Sequence, residues 1–289
     1  MSAVAPIFLP YRSNAVSIRS NLHTHTVYCD GQNTPLEMVE AALKLGFRSI
    51  GFSGHAYTAF DGCCCMTPTG TLAYRREIRE LQKQYEGRID LFLGLENDGL
   101  IPQPTDGYDY VIGSLHYLQV DGKYHTLDNS HEQMRACINE GFGGDALKMV
   151  RAYYDLLVSY VTTDYVDIVG HFDVIQKRNG DNRYFDKESP AYRRIALDAI
   201  EAIAKAGKIF EVNTGAIARG FIKDPYPAPF LLKRLLELKA PVILSSDAHA
   251  AENLNAQFDA VSAMLYEIGF SETMELRRGE GFVPVPLDI

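Results

Sequence analysis

Seven short β-branched or aliphatic runs, separated by longer stretches of helical periodicity, limit the architectures open to this chain. Strands are expected in VSIRSNLHTHT, SIGFSGH, DLFLGLEND, YDYVIGSLH, DIVGHFD, IFEVNTG and PVILSSDAH. Helices are expected in PLEMVEAALKLG, LAYRREIRELQKQYEG, ALKMVRAYYDLLVSYVTT, AYRRIALDAIEAIAKAG, PAPFLLKRLLELKA and AQFDAVSAMLYEIGF. The first helix carries its own punctuation, with Thr34 as cap, Pro35 in the first turn and Gly46 at the end. Over 289 residues such alternation suits an α/β fold closed into a (β/α)7 barrel better than an open doubly wound sheet. GFGGD at 141–145 lacks the GxGxxG spacing of a dinucleotide site and reads as a turn and helix cap. No repeat or low-complexity linker interrupts the chain, so residues 1–289 are expected to form a single domain, with 1–18 as an N-terminal extension.

Nearly every expected strand ends in a group able to bind a metal. His23 and His25 close the first, His55 the second, Glu96 the third, His116 the fourth, His171 the fifth, and Asp247 with His249 the last. Parallel strands in a barrel bring these ends together on one rim. Residues two apart in a strand share a face, so His23 and His25 are expected to turn to one side, and Asp247 and His249 to repeat that geometry. Asp30, five residues past His25, falls in a loop within reach of a neighbouring ion.

A single histidine at a strand end is usually a satisfied polar group. Six of the eight histidines at such ends are different, because burying them unpaired is costly without a compensating charge. His125 and His131, in the polar segment DGKYHTLDNSHEQ, read as solvated. Six imidazoles and three carboxylates exceed one ion, since a catalytic zinc usually takes three protein ligands and keeps one position open. Two or three divalent ions are therefore expected. Nitrogen and oxygen donors without thiolate suit zinc, iron or manganese rather than magnesium.

The formal charge of -9 argues against a broad electrostatic footprint on nucleic acid or anionic lipid, and so against nucleic-acid or membrane partners. MSAVAPIFLPYRSNAVSIRS lacks the basic start of a signal peptide and is broken by Pro6 and Pro10. No run reaches the roughly 18 to 20 apolar residues that span a bilayer, and a cytoplasmic protein is expected. Five cysteines, three of them consecutive at Cys63, Cys64 and Cys65, fit neither a disulfide framework nor CxxC zinc spacing and read as reduced loop thiols.

Taken in order, HTHTVYCDG, GFSGH, GLEND, GSLH, GHFD, EVNTG and SSDAH resemble the polymerase and histidinol phosphatase (PHP) superfamily. The arrangement looks most like its histidinol-phosphate phosphatases, and the resemblance spans residues 21–253. It implies a distorted (β/α)7 barrel with a trinuclear metal centre at the C-terminal rim. Carried over, His23, His25 and Asp247 would hold the first ion, and Glu96 would bridge it to a second held by His116 and His171. Asp30, His55 and His249 would hold the third. Many relatives carry His where this chain has Asp30, which bears on that ion's identity and affinity.

The resemblance further implies hydrolysis of histidinol phosphate, in the service of histidine biosynthesis, by a hydroxide bridging the first two ions, with Glu96 as its bridging ligand. Three divalent ions against three carboxylates leave a local excess of about +3, which reconciles an acidic chain with an anionic substrate. A guanidinium matches two phosphate oxygens, so Arg219 is the first candidate for the phosphate grip, followed by Lys177 and Arg178. Asp173 could protonate the leaving group or orient a ligand imidazole. Loops at 57–71 and 118–144 are expected to shape selectivity. Alternative readings are a related phosphoesterase acting on another small phosphate ester or nucleotide, and a nucleic-acid-processing PHP module.

Overall fold

The computed structural model describes residues 18–287. Residues 1–17, which make up nearly all of the expected N-terminal extension and the start of the first expected strand, lie outside the described residues. In chain order the strands are β1 (Ser20–Asn21), β2 (Ser49–Phe52), β3 (Asp90–Asp98), β4 (Tyr110–Ser114), β5 (Tyr117–Val120) and β6 (Lys123–Thr126). They continue with β7 (Ile168–Val169), β8 (Ile209–Asn213), β9 (Val242–Ser245), β10 (Glu272–Arg277) and β11 (Gly281–Pro286). The helices are α1 (Pro35–Lys44), α2 (Pro68–Gln84), α3 (His131–Ala136), α4 (Ala146–Val161), α5 (Pro190–Lys205), α6 (Gly215–Ala218), α7 (Pro229–Glu237) and α8 (Phe258–Ile268).

Seven strands form one wholly parallel sheet in the order β1-β2-β3-β4-β7-β8-β9. The two edges meet just beyond β1 and β9. Thr24 bridges Ala248 in parallel, with His25 N–H donating to Ala248 O at 2.8 Å and Ala248 N–H to His23 O at 3.1 Å. The sheet thus closes into a distorted (β/α)7 barrel, as the sequence leads one to expect. The first strand is far shorter than its apolar run suggests, because only Ser20 and Asn21 pair regularly with Ser49 and Ile50.

Strand periodicity sorts the barrel interior into layers. Side chains of Phe92, Ile112, Ile209 and Ile243 pack with Leu22, Tyr110 and Ile168 in an apolar inner cluster. Two residues further up each strand come Gly94, Ser114, Glu211 and Ser245, and two further again Glu96, His116, Asn213 and Asp247. Along these four strands and just beyond their ends the residues thus pass from apolar to polar. Side chains of the opposite strand face, such as Ile50, Phe52, Leu91, Leu93 and Val212, meet the helices in the larger outer core. Gly51 and Gly94 leave room for an aromatic ring. A Cβ on either would fall within 2.3 Å of the Tyr110 side chain, which crosses the barrel to donate to Leu22 O.

Helix caps follow local chemistry. Thr34 and Glu37 form a reciprocal capping box on α1, while Thr67, Ser189 and Asp145 cap α2, α5 and α4 through their side chains. Asp145 closes the GFGGD turn, where Gly143 and Gly144 adopt positive φ.

Two antiparallel hairpins depart from the sequence reading. β5 and β6 rise out of the expected 118–144 loop, turning at Asp121 and Gly122, both at positive φ. α3 and a short π-helical turn at 137–141 follow it. β10 and β11 form a floor under the barrel: Leu276 joins the inner cluster with Met274 and Phe282 against it, and Arg278 Nη2 donates to Leu91 O at 3.1 Å. Among the described residues no helix is long and apolar enough to cross a membrane.

Leu276 is buried against the lowest layer of the barrel. Leu276→Ala should cost about 3 kcal/mol of unfolding free energy in a urea titration, because the cavity it leaves is walled by strands that cannot collapse. A cost below about 1 kcal/mol would show that the hairpin merely rests on the barrel.

Candidate metal centre

The nine residues singled out at strand ends and in the first loop come to one rim of the barrel. Glu96, 1% exposed at the inward top of β3, is the hub. Its two oxygens lie 3.2 Å from His23 Nε2, 3.5 Å from His25 Nε2, 2.8 Å from His55 Nδ1, 3.5 Å from His116 Nε2 and 2.9 Å from His171 Nε2. Asp247 Oδ1 sits 3.1 Å from His25 Nε2 and 3.6 Å from His23 Nε2. Asp30 approaches from its loop, 3.7 Å from His55 Nε2 and 3.3 Å from His249 Nε2.

The local backbone differs from the expected strand geometry at Asp247. β9 ends at Ser245, and Asp247 has φ 49, a left-handed conformation that Asp tolerates better than most residues. Asp247 and His249 therefore do not share a strand face, although both reach the cluster. His23 and His25 also lie beyond regular strand, and the Thr24 bridge between them supplies the alternation.

Charges in the cluster set one another. Burial opposes ionisation of Glu96, but His55, His23 and His116 outweigh it and hold the carboxyl well below its ordinary range. Burial likewise opposes the charge on Asp247, and Arg219, then His23, overcomes it. His25 goes the other way. Burial and the neighbouring His249 and His55 lower it to about 3, so it stays a neutral donor of lone pairs.

Two carboxylates behind the cluster were not singled out from sequence. Glu211 on β8 accepts from His23 Nδ1 at 2.5 Å, from the His171 backbone N–H at 2.6 Å, from Asn213 Nδ2 at 3.0 Å and from Ser245 Oγ. It thereby fixes the His23 ring with Nε2 toward the cluster. Asp98 does the same for His116, accepting from its backbone N–H at 2.7 Å and from Nδ1 at 3.2 Å. The sequence signal was present at Glu211, the one charged residue of the buried run IFEVN.

The donor set fits a metal. Among the described residues His23 Nε2, His25 Nε2, Asp30 Oδ1 and Glu96 Oε2 are buried without a hydrogen-bond partner, an arrangement that native interiors avoid unless a cation or water satisfies it. Three groups have ligand atoms within 4.8 Å of one another: His23, His25 and Asp247; His25, Asp30, His55 and His249; and His55, Glu96 and His116. The expected three-ion partition differs in detail, since it puts His171 with His116 and leaves His25 out of the Asp30 group.

A cavity of about 370 Å³ opens over the cluster. Arg219 lines it, donating through Nη2 to Asp247 Oδ2 and through Nη1 to Asp247 O, both at 3.0 Å. Lys177 also lines it, 2.7 Å from Asp128 Oδ2, with its ammonium over Phe221. Arg178 is turned to the carbonyls of Asp128 and Asn129. Cys64 and Cys65 border the cavity, while Cys63 is exposed.

His125 and Asp173 depart from expectation. His125 is buried on β6 rather than solvated, because the hairpin folds it in beside Gly141. Among the described residues Asp173 meets no imidazole of the cluster: one oxygen accepts from Ala228 N–H at 3.1 Å, and the other is buried without a partner. His131 is exposed, as expected.

The PHP domain pattern matches residues 21–215, two thirds of the chain and the whole of the rim up to β8. The chain belongs to the PHP domain family. Among its PHP relatives is a Deinococcus radiodurans protein named "Probable histidinol-phosphatase", 31% identical, covering 83% of this chain and 90% of the relative. A Bacillus subtilis protein named "Histidinol-phosphatase" is 27% identical, covering 82% and 96%. The fold matches a crystal structure of histidinol phosphate phosphatase from Lactococcus lactis, described as complexed with zinc, L-histidinol and phosphate. The TM-score is 0.67 at 20% identity, covering 89% and 95%.

Glu211→Gln removes the charge that orients His23 and should weaken metal affinity about 10-fold to 100-fold, read by competition with a chelator. Unchanged affinity would mean that packing alone holds the ring. Burial pushes Asp173 up to about 7. Its folded-state pKa thus lies above the ordinary value of about 4, so the stability it contributes is complete below about pH 4 and is lost as pH rises through about 7. Asp173→Asn keeps the acceptor for Ala228 and should raise Tm by a few degrees at about pH 8.5, with little gain at about pH 5. An equal effect at both would contradict the assignment.

Proposed function

We propose that this chain is a metal-dependent phosphomonoesterase that hydrolyses histidinol phosphate to histidinol and phosphate, on a single domain. The observation that carries this reading is the rim itself: six imidazoles and three carboxylates, several with buried atoms that lack partners among the described residues, under a cavity walled by Arg219 and Lys177. The names of the relatives and the ligands of the Lactococcus structure support the choice of substrate.

His23, His25, Asp30, His55, Glu96, His116, His171, Asp247 and His249 would hold two or three divalent ions of zinc, iron or manganese. Bound divalent cations act as Lewis acids that activate water and offset the negative charge of a phosphoryl group. The chain's own residues do the rest. Glu96, central to the cluster, keeps neighbouring ligand groups at a fixed spacing. Arg219, already tied to Asp247, presents its remaining N–H groups to phosphoryl oxygens, and Lys177 offers a second positive charge at the cavity wall. The alcohol product leaves through the cavity mouth.

The test is phosphate release by metal-reconstituted protein from histidinol phosphate, sugar phosphates, nucleotides and an aryl phosphate, with a chelated control. Strong preference for histidinol phosphate is expected, and uniform slow release would overturn the substrate assignment. Glu96→Gln should lower kcat at least about 100-fold and reduce bound metal, since it neutralises the hub of the cluster. Near-normal turnover in that variant would reject the site.

A further inference from the structure

Six carboxylates line the cavity, and five of them belong to the imidazole cluster, to its support or to the loop at 61–64. Asp30, Glu96 and Asp247 face the imidazoles. Asp98 is engaged by His116 and by Leu100 N–H. Asp61 accepts from Tyr117 Oη and from the backbone N–H groups of Cys63 and Cys64, which pins that loop. The sixth is Asp128. Its Oδ2 accepts from Lys177 Nζ at 2.7 Å, and among the described residues its Oδ1 accepts no hydrogen bond.

An ionised carboxylate has about four acceptor sites, so one lysine leaves Asp128 with capacity directed at the cavity. Its backbone is held by other residues of the cavity wall. Arg178 Nε donates to Asp128 O at 2.8 Å and Nη2 to Asn129 O, and the guanidinium packs 4.7 Å over the Phe221 ring. The wall therefore presents a positive and a negative charge side by side on a clamped backbone. A phosphate alone would be met by the lysine and repelled by the carboxylate. A ligand carrying an anion and a cation a few ångströms apart is met by both.

We propose that Asp128 is a specificity-determining residue that receives an ammonium group of the substrate while Lys177 faces phosphoryl oxygens of the same molecule. The inference rests on the phosphatase reading above and narrows it to phosphate monoesters with an amine on the carbon next to the ester-bearing carbon. Histidinol phosphate is one such ester. The preorganised pair discriminates by leaving Asp128 short of a partner when the amine is missing.

The experiment measures kcat/KM for histidinol phosphate and for the imidazolyl-propyl phosphate that lacks the amine, in the metal-loaded wild type, D128N and D128E. The wild type should prefer the amine by at least about tenfold, D128N should bring the ratio near unity, and D128E should keep part of the preference. Any loss from releasing Lys177 or from a less stable fold falls on both substrates and cancels in the ratio. Should D128N not fold, D128S is read in the same way. A variant without the carboxylate that discriminates as well as the wild type overturns the proposal and leaves the phosphatase reading intact. A wild type that releases phosphate equally from both esters overturns it too. Release from neither ester overturns the phosphatase reading itself.

Discussion

A carboxylate sealed inside a closed sheet governs the geometry of this rim. Glu211 accepts hydrogen bonds from a side chain or backbone group on four segments: His23 beyond β1, His171 beyond β7, Asn213 on its own strand and Ser245 on β9. Burial opposes its charge, and His23 outweighs that cost, keeping the carboxyl below its ordinary range. Removing a partner would leave a buried anion one hydrogen bond short, so each contact adds to the hold of the others. It ties the first strand to those across the barrel and aims an imidazole at the same time. Scaffold and site share one interaction here.

Above that tie, imidazoles and carboxylates crowd together in a set that suits bound cations. Glu96 alone faces five imidazoles, and among the described residues buried side-chain atoms of His23, His25, Asp30 and Glu96 lack partners. The chain is acidic overall, yet the cavity walls bring Arg219 and Lys177 forward, each already paired with a carboxylate. Those pairs hold long side chains in place before a ligand arrives, which lowers the ordering cost of binding.

The barrel and the rim were legible because their signals are local. Each apolar run such as LFLGLEND or VILSSDAH carries its own strand and ends in the group it delivers. What hid was either masked by composition or non-local. The β5–β6 hairpin is announced by Asp121-Gly122 between alternating residues, but the surrounding polarity reads as loop. Pro284 and Pro286 disguise β11, tolerable there because that strand has a single partner. The left-handed turn at Asp247 leaves no mark in the sequence. Partners such as Glu211 with His23, 188 residues apart, are set by closure of the sheet and not by spacing.

The floor under the barrel has a consequence for how the molecule comes into being. β10 and β11 follow all seven staves in the chain, and Leu276 closes a layer that includes Leu22, some 250 positions earlier. On the ribosome the inner layer stays wet until that hairpin emerges, whatever the helices outside have achieved. Birth of a dry interior thus waits for a segment made after the whole barrel, and a nascent chain awaiting that hairpin is a form exposed to chaperones and proteases.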